Sequence, residues 1–310
     1  MVYKMFDDRA PYLAALVTYY AFVSLFPLLL LFLSITGFVL QSDPHLREKV
    51  ISAALSNLPD LGTQLERNIS GFKGSAGALI VGVLGTLYGA LGATQAAQYA
   101  FNTMYAVPRN HQPNPLKSRV RSFGLILLLG TGVLVSGAIA VLLSTANDVA
   151  TDLGVGLRIL GYALSLALDF GLFTAAFQLL TAEDLHPRDV MAGGAIAAGG
   201  WELLQAFGAR FVVHEARHGN AFYGVFGVVL ATIAWLYLEA LVLMISAEIN
   251  VVRARRLWPR ALLTPFTDRV QLTEADRAAY RSYARAQRFK GFEEVDARFV
   301  DGQEDDPPPR

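Results

Sequence analysis

Residues 222–252 read FYGVFGVVLATIAWLYLEALVLMISAEINVV, a mostly apolar stretch with one carboxylic acid, Glu239, near its centre. A hydrocarbon core about 30 Å thick is crossed by about 20 helical residues. The stretch is therefore long enough to cross a membrane as a single helix. An acid at mid-depth is costly, so chains retain one where it lines a cavity, carries a proton or joins two helices.

Five further apolar runs precede this stretch, at 12–40, 77–101, 122–143, 157–180 and 190–213. Asp169 and Glu202 lie near the centres of the fourth and fifth of the six runs. The chain has 310 residues, of which 54% are hydrophobic, and its formal net charge is zero. Because soluble domains do not repeat apolar runs of this length, the sequence predicts an all-α integral membrane protein with six transmembrane helices.

The chain divides into a membrane domain and a tail. Residues 1–260 form the predicted six-helix transmembrane domain, with two short amphipathic surface helices predicted within 41–76, between the first two spans. Residues 261–310 form a predicted charged cytoplasmic tail. Thr273, followed three residues later by Asp276, predicts the start of an exposed helix, and the acidic, proline-rich end of the tail predicts disorder.

Lys and Arg concentrate in alternate connections between the spans, notably in 102–121 and 253–260, and at Lys4 and Arg9. By the positive-inside rule, we expect a multi-pass protein of the bacterial cytoplasmic membrane with both termini in the cytoplasm. The rule explains the basic loop without a nucleic-acid partner, and anionic lipid headgroups are the next simplest ligand. The sequence contains no cysteine, which excludes disulfides and thiolate metal sites.

Each span carries a narrow polar stripe, which we expect to point into the helix bundle rather than at lipid. We interpret these stripes as a pathway for substrate or protons, in which acids tune a polar cavity and neutral side chains supply contacts. The alternative is that the polar groups only bond across helices, which contributes about 0.6–2 kcal/mol each. The candidate pathway residues are Tyr20, Gln95, Asn102, Asp169, Glu202, Gln205 and Glu239.

Pro27 lies inside the first span, where a proline removes a backbone donor and bends a helix. In the second span, Gly82, Gly85, Gly89 and Gly92 fall on one helix face, which lets a neighbouring backbone approach closely. Pro27, Gly85 and Gly89 are therefore candidates for a gate between two helices. The alternative is that they are static packing features.

The pentapeptide His214-Glu215-Ala216-Arg217-His218 matches the H-E-x-x-H pattern of zinc metalloproteases. On a helix, His214 and His218 face one way, and Glu215 is placed to activate a water molecule. Against a metal site, the pentapeptide lies at the end of the fifth span, where a solvated charged turn is the simpler interpretation. We therefore expect no metal and no other cofactor.

Three segments resemble one known family: Thr18-Tyr-Tyr-Ala-Phe-Val-Ser-Leu-Phe-Pro27-Leu-Leu, Asn102 with Tyr105 and Val107-Pro108, and Phe222-Tyr-Gly-Val-Phe-Gly continuing to Trp235-Leu-Tyr237 and Ala247-Glu248-Ile-Asn250. The chain is similar over residues 10–255 to the YihY/BrkB family of bacterial inner-membrane proteins. The resemblance implies six transmembrane helices. One branch of the family is associated with export of a lipid A precursor, and some members carry the label ribonuclease BN. Glu239 and Ser246 depart from the residues expected at these positions.

Together, the residues and the resemblance predict an ATP-independent transporter or flippase for a lipidic or amphipathic substrate, and not an enzyme. No glycine-rich phosphate loop ending in Gly-Lys-Ser/Thr is present in the sequence. Membrane lipids are the expected partners, with self-association into a homo-oligomer as a further expectation. Two alternatives stay open: a membrane zinc metalloprotease built on His214, Glu215 and His218, and a non-catalytic membrane scaffold.

Overall fold

The computed structural model describes residues 2–39, 76–149, 154–218, 224–261 and 271–299. Within these ranges all regular elements are helices, which confirms the all-α prediction. They are α1 (Val2–Asp7), α2 (Ala10–Val39), α3 (Ala76–Met104), a 3-10 turn (Arg109–His111), α4 (Pro115–Val149), α5 (Gly154–Leu180), α6 (Pro187–His218), α7 (Gly224–Ala254) and α8 (Glu274–Ala286).

Helices α2 to α7 lie at the positions of the six predicted spans. In the described part of the chain, three segments are long and apolar enough to cross a membrane: Leu79–Met104, Ile159–Leu180 and Val229–Ala254. The apolar segment of α2, Ala10–Leu25, is shorter. The membrane character of the chain is thus supported, whereas the number of six spans stays a prediction. The predicted surface helices within 41–76 lie outside the described residues, save for Ala76, which begins α3.

Helix α4 begins at Pro115, seven residues before the predicted start of the third span. The side-chain oxygen of Asn114 accepts a hydrogen bond from the backbone N–H of Lys117, 2.9 Å away, and so caps the helix. Proline is favoured at the first helical position because its missing N–H has no partner there. The basic first turns therefore belong to the helix, although hydropathy alone assigns them to a loop.

The six long helices form a closed ring in chain order. Each packs against the helices before and after it, and α7 returns to pack against α2. Helix α3 also contacts α5 and α7 across the ring. Because the ring follows the chain order, successive connections lie at alternate ends of the bundle.

The glycine face of α3 lies directly against α2. A Cβ atom added to Gly85 would lie 2.7 Å from Pro27 Cβ, and one added to Gly89 would lie 2.7 Å from Ser24 Cα. Real side chains do not approach so closely, so only glycine fits at these positions. Gly82 and Gly92 meet Leu31 and Tyr20 in the same way. The predicted close approach of two backbones is confirmed, and the gating role of Pro27, Gly85 and Gly89 stays a prediction.

Among the side chains that the structure describes, those that are fully buried lie towards one end of the ring. They belong to the start of α2, the end of α3, the facing ends of α5 and α6, and the last turns of α7; the largest are Phe101, Met104, Tyr105, Phe177, Val190, Met244, Glu248, Asn250 and Val251. The described residues nearer the middle of the long helices are mostly half-buried or exposed. We call the well-packed end the closed end.

Helix α8 packs onto the closed end. Thr273 caps it, and the Asp276 side chain bonds back to the Thr273 backbone, which forms a reciprocal capping box. Ala275, Asp276 and Ala279 are buried. The helix predicted to begin at Thr273 is therefore present, and it is exposed on one face only, because its small-residue face is buried at the closed end. Residues 300–310, predicted to be disordered, lie outside the described residues.

We expect Gly89→Ala to destabilise the bundle by about 1–3 kcal/mol, because the new methyl group meets the Ser24 backbone, which cannot move independently of α2. Gly124→Ala is the matched control, since a Cβ at this exposed helical position has no neighbour within 4 Å. Alanine favours a helix over glycine by about 1 kcal/mol, so the control is expected to be neutral or stabilising. Thermal unfolding in detergent measures both. Equal stability of the two variants would contradict the packing described.

Candidate functional site

Two clusters of charged side chains lie among the helices. The acid pair consists of Asp169 on α5 and Glu202 on α6, close to the helix centres. The end cluster consists of Lys4 on α1, Asp8 after α1, and Glu248 on α7, at the closed end. The two clusters draw on different helices and are described in turn.

The acid pair joins neighbouring helices. Ser165 Oγ donates a hydrogen bond to Glu202 Oε1, 2.9 Å away. Asp169 lies one helical turn after Ser165, and its carboxyl group is within hydrogen-bonding reach of that of Glu202. A bond between two carboxyl groups needs one O–H donor, because an ionised carboxylate can only accept. A direct hydrogen bond between the carboxyl groups of Asp169 and Glu202 would therefore require one proton.

Glu239, the third predicted acid, is not joined to this pair. Its carboxyl group lies within hydrogen-bonding reach of the indole N–H of Trp235, one turn earlier on the same helix. The Trp235 ring packs against α6, where a Cβ on Gly208 would lie 2.7 Å from its Cζ2 atom. The structure therefore brings together two of the three predicted acids and places Glu239 in a separate contact.

The neutral residues of the predicted pathway also lie in different surroundings. Asn102 is buried, and its Oδ1 accepts the backbone N–H of Ala182, 2.8 Å away, which ties α3 to the connection between α5 and α6. Tyr20 packs on Gly92 of α3. Gln95 and Gln205 are exposed rather than packed between helices, and their role in a pathway stays a prediction.

Gln98 takes the buried position on α3 instead of Gln95. Its Nε2 donates to Ser122 Oγ at 3.0 Å, and its Oε1 accepts from Ser118 Oγ at 2.7 Å. Two serines of α4 thus satisfy the amide of Gln98 in full. Spacing on the helix placed Gln95 and Gln98 near each other, but only the partners on α4 determine which one is buried.

In the end cluster, the Lys4 ammonium has three oxygen neighbours. It donates to Asp8 Oδ2 and, at 2.7 Å, to the backbone carbonyl of Met104, and it lies 3.4 Å from Glu248 Oε2. The side chains of Lys4, Asp8 and Glu248 are only 3%, 2% and 0% exposed. Glu248 thus has a lysine of α1 as its charged neighbour, because α1 folds back and brings Lys4 to it.

The turn that folds α1 back is at Arg9, whose φ of 54° is in the left-handed region. Pro11 then lies in the first turn of α2, where a proline needs no backbone N–H partner. Sequence reasoning missed α1 altogether. The four-residue spacing of Lys4 and Asp8, which suits an ion pair within a helix, was the available signal.

Two tyrosines enclose the end cluster. The Lys4 ammonium lies 5.7 Å from the centre of the Tyr283 ring of α8, a favourable position for a cation over an aromatic face. Burial raises the pKa of the Tyr283 hydroxyl, and the nearby Asp8 carboxylate raises it further. Burial likewise raises the pKa of Tyr105. Both hydroxyls therefore stay neutral around the charged groups.

A set of ion pairs fastens α8 and the chain ends at the closed end. Arg260 donates to Asp276 at 2.9 Å and to Asp7 of α1 at 3.1 Å, and the backbone N–H of Ala261 donates to Asp276 at 2.9 Å. Burial alone raises the pKa of Asp276, but the hydrogen bonds from Ala261, Thr273 and Arg260 outweigh burial and hold this pKa below its ordinary value.

The side chains of His214, Glu215 and His218 lie outside the described residues, so the metalloprotease alternative stays a prediction. In the described ranges, no group of three His, Asp or Glu side chains is placed to hold a metal ion.

Comparisons with known proteins identify the family. The family described as "Virulence factor BrkB" matches residues 1–267. The chain is 25% identical to a UPF0761 membrane protein of Psychrobacter sp. (strain PRwf-1) over 99% of this chain and 56% of that protein. It is 25% identical to the ribonuclease-like protein YfkH of Bacillus subtilis over 78% of this chain and 90% of that protein.

A UPF0761 membrane protein of Azotobacter vinelandii is 26% identical over 83% of this chain and 63% of its own length. The chain thus spans just over half of the Psychrobacter relative. No solved structure matches. The chain belongs to the BrkB family of membrane proteins, as the resemblance predicts.

We expect Asp276→Asn to loosen α8 from the closed end, because hydrogen bonds to charged groups contribute about 1.5–3 kcal/mol each. Limited digestion with trypsin measures the change, and cleavage after Arg277, Arg281 and Arg285 is expected to accelerate by about tenfold. Glu274→Gln is the control, since this exposed acid lies in the same helical turn. Similar cleavage rates for the two variants would contradict the conclusion that Asp276 fastens α8 to the closed end.

The contacts of Asp276 that fasten α8 are expected to weaken in acid. Because the pKa of Asp276 is held below its ordinary value, its contribution is fully present above about pH 4 and is lost as the pH falls through the lowered pKa. Hydrogen exchange of α8 amides from pH 7 downwards, corrected for the intrinsic exchange rate, measures this loss. If the protection of α8 in the wild type did not change with pH, as expected for Asp276→Asn, which lacks this carboxyl group, the prediction would be contradicted.

Proposed function

We propose that this protein moves a lipidic or amphipathic molecule across the cytoplasmic membrane without ATP, and that the acid pair is the polar, proton-holding site of that movement. The observation that supports the proposal most directly is the contact of Asp169 with Glu202, two acids on adjacent helices at mid-length. Intramembrane acids are rare and usually mark an ion, proton or substrate pathway.

The acid pair suits a two-state site. With one proton, a hydrogen bond joins the two carboxyl groups and holds α5 against α6. Without that proton, two like charges face each other between the helices, where the surrounding hydrocarbon screens them poorly. Proton binding and release would therefore change the contact between α5 and α6, and a polar headgroup or an amine could enter between the separated carboxylates.

The described packing supports a site that is sealed from one side. The closed end is sealed by buried apolar side chains and by the ion pairs of Arg260, while the described middle portions of the helices, which hold the acid pair, are less buried. Following the positive-inside rule, we assign the closed end to the cytoplasm. The site would then be reached from the membrane or from the outer side.

A transport role also accounts for the basic loop. The guanidinium of Arg109 lies 4.5 Å from the centre of the Phe289 ring, and the N–H of Asn110 donates to the Arg288 carbonyl at 3.2 Å. The loop therefore contacts the tail of the same chain. We propose membrane lipids rather than nucleic acid as partners, and a transport rather than a catalytic role, although one relative is named ribonuclease-like.

The test uses purified full-length protein in vesicles that contain fluorescent phosphatidylglycerol or fluorescent phosphatidylcholine, with a pH-sensitive dye inside. We expect the wild type to move lipid between leaflets, and Asp169→Asn and Glu202→Gln each to slow this by at least about tenfold. Asp184→Asn is the control, because this acid is exposed in the connection between α5 and α6.

Two results would contradict the proposal. One is a wild type that moves neither lipid nor protons above the rate of empty vesicles, which is the behaviour expected of a scaffold. The other is normal movement by correctly folded Asp169→Asn and Glu202→Gln. Hydrolysis of RNA or of casein by the wild type, with no lipid movement, would favour an enzyme instead.

Glu239→Gln separates the third acid from the pair. A glutamine side-chain oxygen still accepts the Trp235 N–H, so we expect this variant to move lipid within about threefold of the wild-type rate, close to 0.6 kcal/mol in barrier height. The same vesicle assay measures it. A loss as large as that of Glu202→Gln would place Glu239 in the pathway after all.

A further inference from the structure

The end cluster has an unusual balance of charge for its burial. One ammonium group, that of Lys4, lies between two carboxyl groups, those of Asp8 and Glu248, and none of the three side chains is more than 3% exposed. Neither carboxyl oxygen of Glu248 accepts a hydrogen bond as placed, although both are completely buried. Buried polar atoms without a partner are rare and call for an explanation.

Lys4 is the charged donor of the cluster, and the hydroxyls of Tyr105 and Tyr283 beside it have no hydrogen-bond partner as placed, so neither donates to Glu248. Lys4 donates to Asp8 and to the Met104 carbonyl, and its 3.4 Å contact with Glu248 is too poorly aligned for a hydrogen bond. One ammonium neutralises one carboxylate, so a second carboxylate would remain as an uncompensated buried charge. Such a charge is strongly destabilising, because no solvent reaches it.

We propose that the end cluster is a proton-binding site, in which one proton is shared between the carboxyl groups of Asp8 and Glu248. Both groups contact the same Lys4 nitrogen and so lie side by side, and a carboxyl-to-carboxyl bond between them requires a proton. With the proton bound, the cluster has no net charge, and a Glu248 oxygen gains the partner that the protein does not otherwise provide.

The other groups that face the site neither supply the shared proton nor take it from Asp8 and Glu248. Helix α1 and the turn after it contribute Lys4 and Asp8, the end of α3 contributes Tyr105, α7 contributes Glu248, and α8 contributes Tyr283. Asp7 faces Tyr283 from α1 but is paired with Arg260. Burial raises the pKa of both tyrosines, so neither hydroxyl releases its proton to the cluster near neutral pH.

The site is independent of the proposed transport function, because it lies on different helices from the acid pair and its argument uses only its own charges. Its proton holds together three elements that are distant in the sequence, α1, α7 and α8. Release of the proton would leave two carboxylates beside one ammonium. The structural consequence would be a looser closed end.

The test is infrared spectroscopy of the full-length protein in lipid discs at pH 7, read at the carbonyl stretch of protonated carboxylic acids. We expect the spectrum of the wild type to contain one such band that is missing from the spectrum of Glu248→Gln. In this variant Asp8 alone pairs with Lys4, as a carboxylate. Glu183→Gln is the control: it removes an exposed acid, paired with Arg255, from the same end and should leave the band intact.

Asp8→Asn provides a second variant if Glu248→Gln fails to fold. It leaves one carboxylate for Lys4, so the band is again expected to disappear. Lys4→Met removes the cation and is expected to retain the band. Absence of any band difference between the wild type and both Glu248→Gln and Asp8→Asn would overturn the proposal. Because Asp169 and Glu202 are unchanged in these variants, their own band cancels, and the result does not depend on lipid movement.

Discussion

A carboxyl group that water cannot reach needs a proton or a counter-charge, and the polar organisation of this helix ring follows from that constraint. The two clusters satisfy this requirement in different ways. In the acid pair, a serine hydroxyl and a second carboxyl group face Glu202, and no cation from the described part of the chain is in contact. In the end cluster, the Lys4 ammonium takes the central place, and the surplus acid remains. In both, the proposed proton would supply the donor that two adjacent carboxyl groups lack.

The ring itself depends on close backbone contact rather than on polar groups. Helices in a membrane gain little from burying apolar surface against each other, since lipid tails are equally apolar. The glycine face of α3 allows α2 to approach until Ser24 and Pro27 touch its backbone, which increases dispersion contacts over a long interface. Gly193 has the same function between α6 and α7, where its N–H donates to Asn250 Oδ1 at 2.6 Å. Rigid contacts of this kind hold the helices that carry the acids.

Local sequence signals predict the elements well and their partners poorly. Apolar length places α2 to α7, a capping box places the start of α8, and glycine spacing predicts the α2–α3 interface. The end cluster escapes such reasoning, because Lys4 meets Glu248 only after the chain has closed its ring. A lysine before the first span also satisfies the positive-inside rule, so its sequence context gives no reason to look for a buried partner.

The two clusters also differ in how the chain holds them, and this difference favours motion at one of them. The acid pair joins α5 and α6, which are neighbours in sequence and linked by a short connection. The end cluster and the Arg260 ion pairs join α1, α7 and α8, so separating them disrupts contacts between both ends of the chain at once. Opening at the closed end would separate both ends of the chain, whereas opening at the acid pair would separate two helices that are adjacent in the sequence. Under the proposed function, a cycle of proton binding and release at the acid pair would move α5 relative to α6 while the closed end stays assembled.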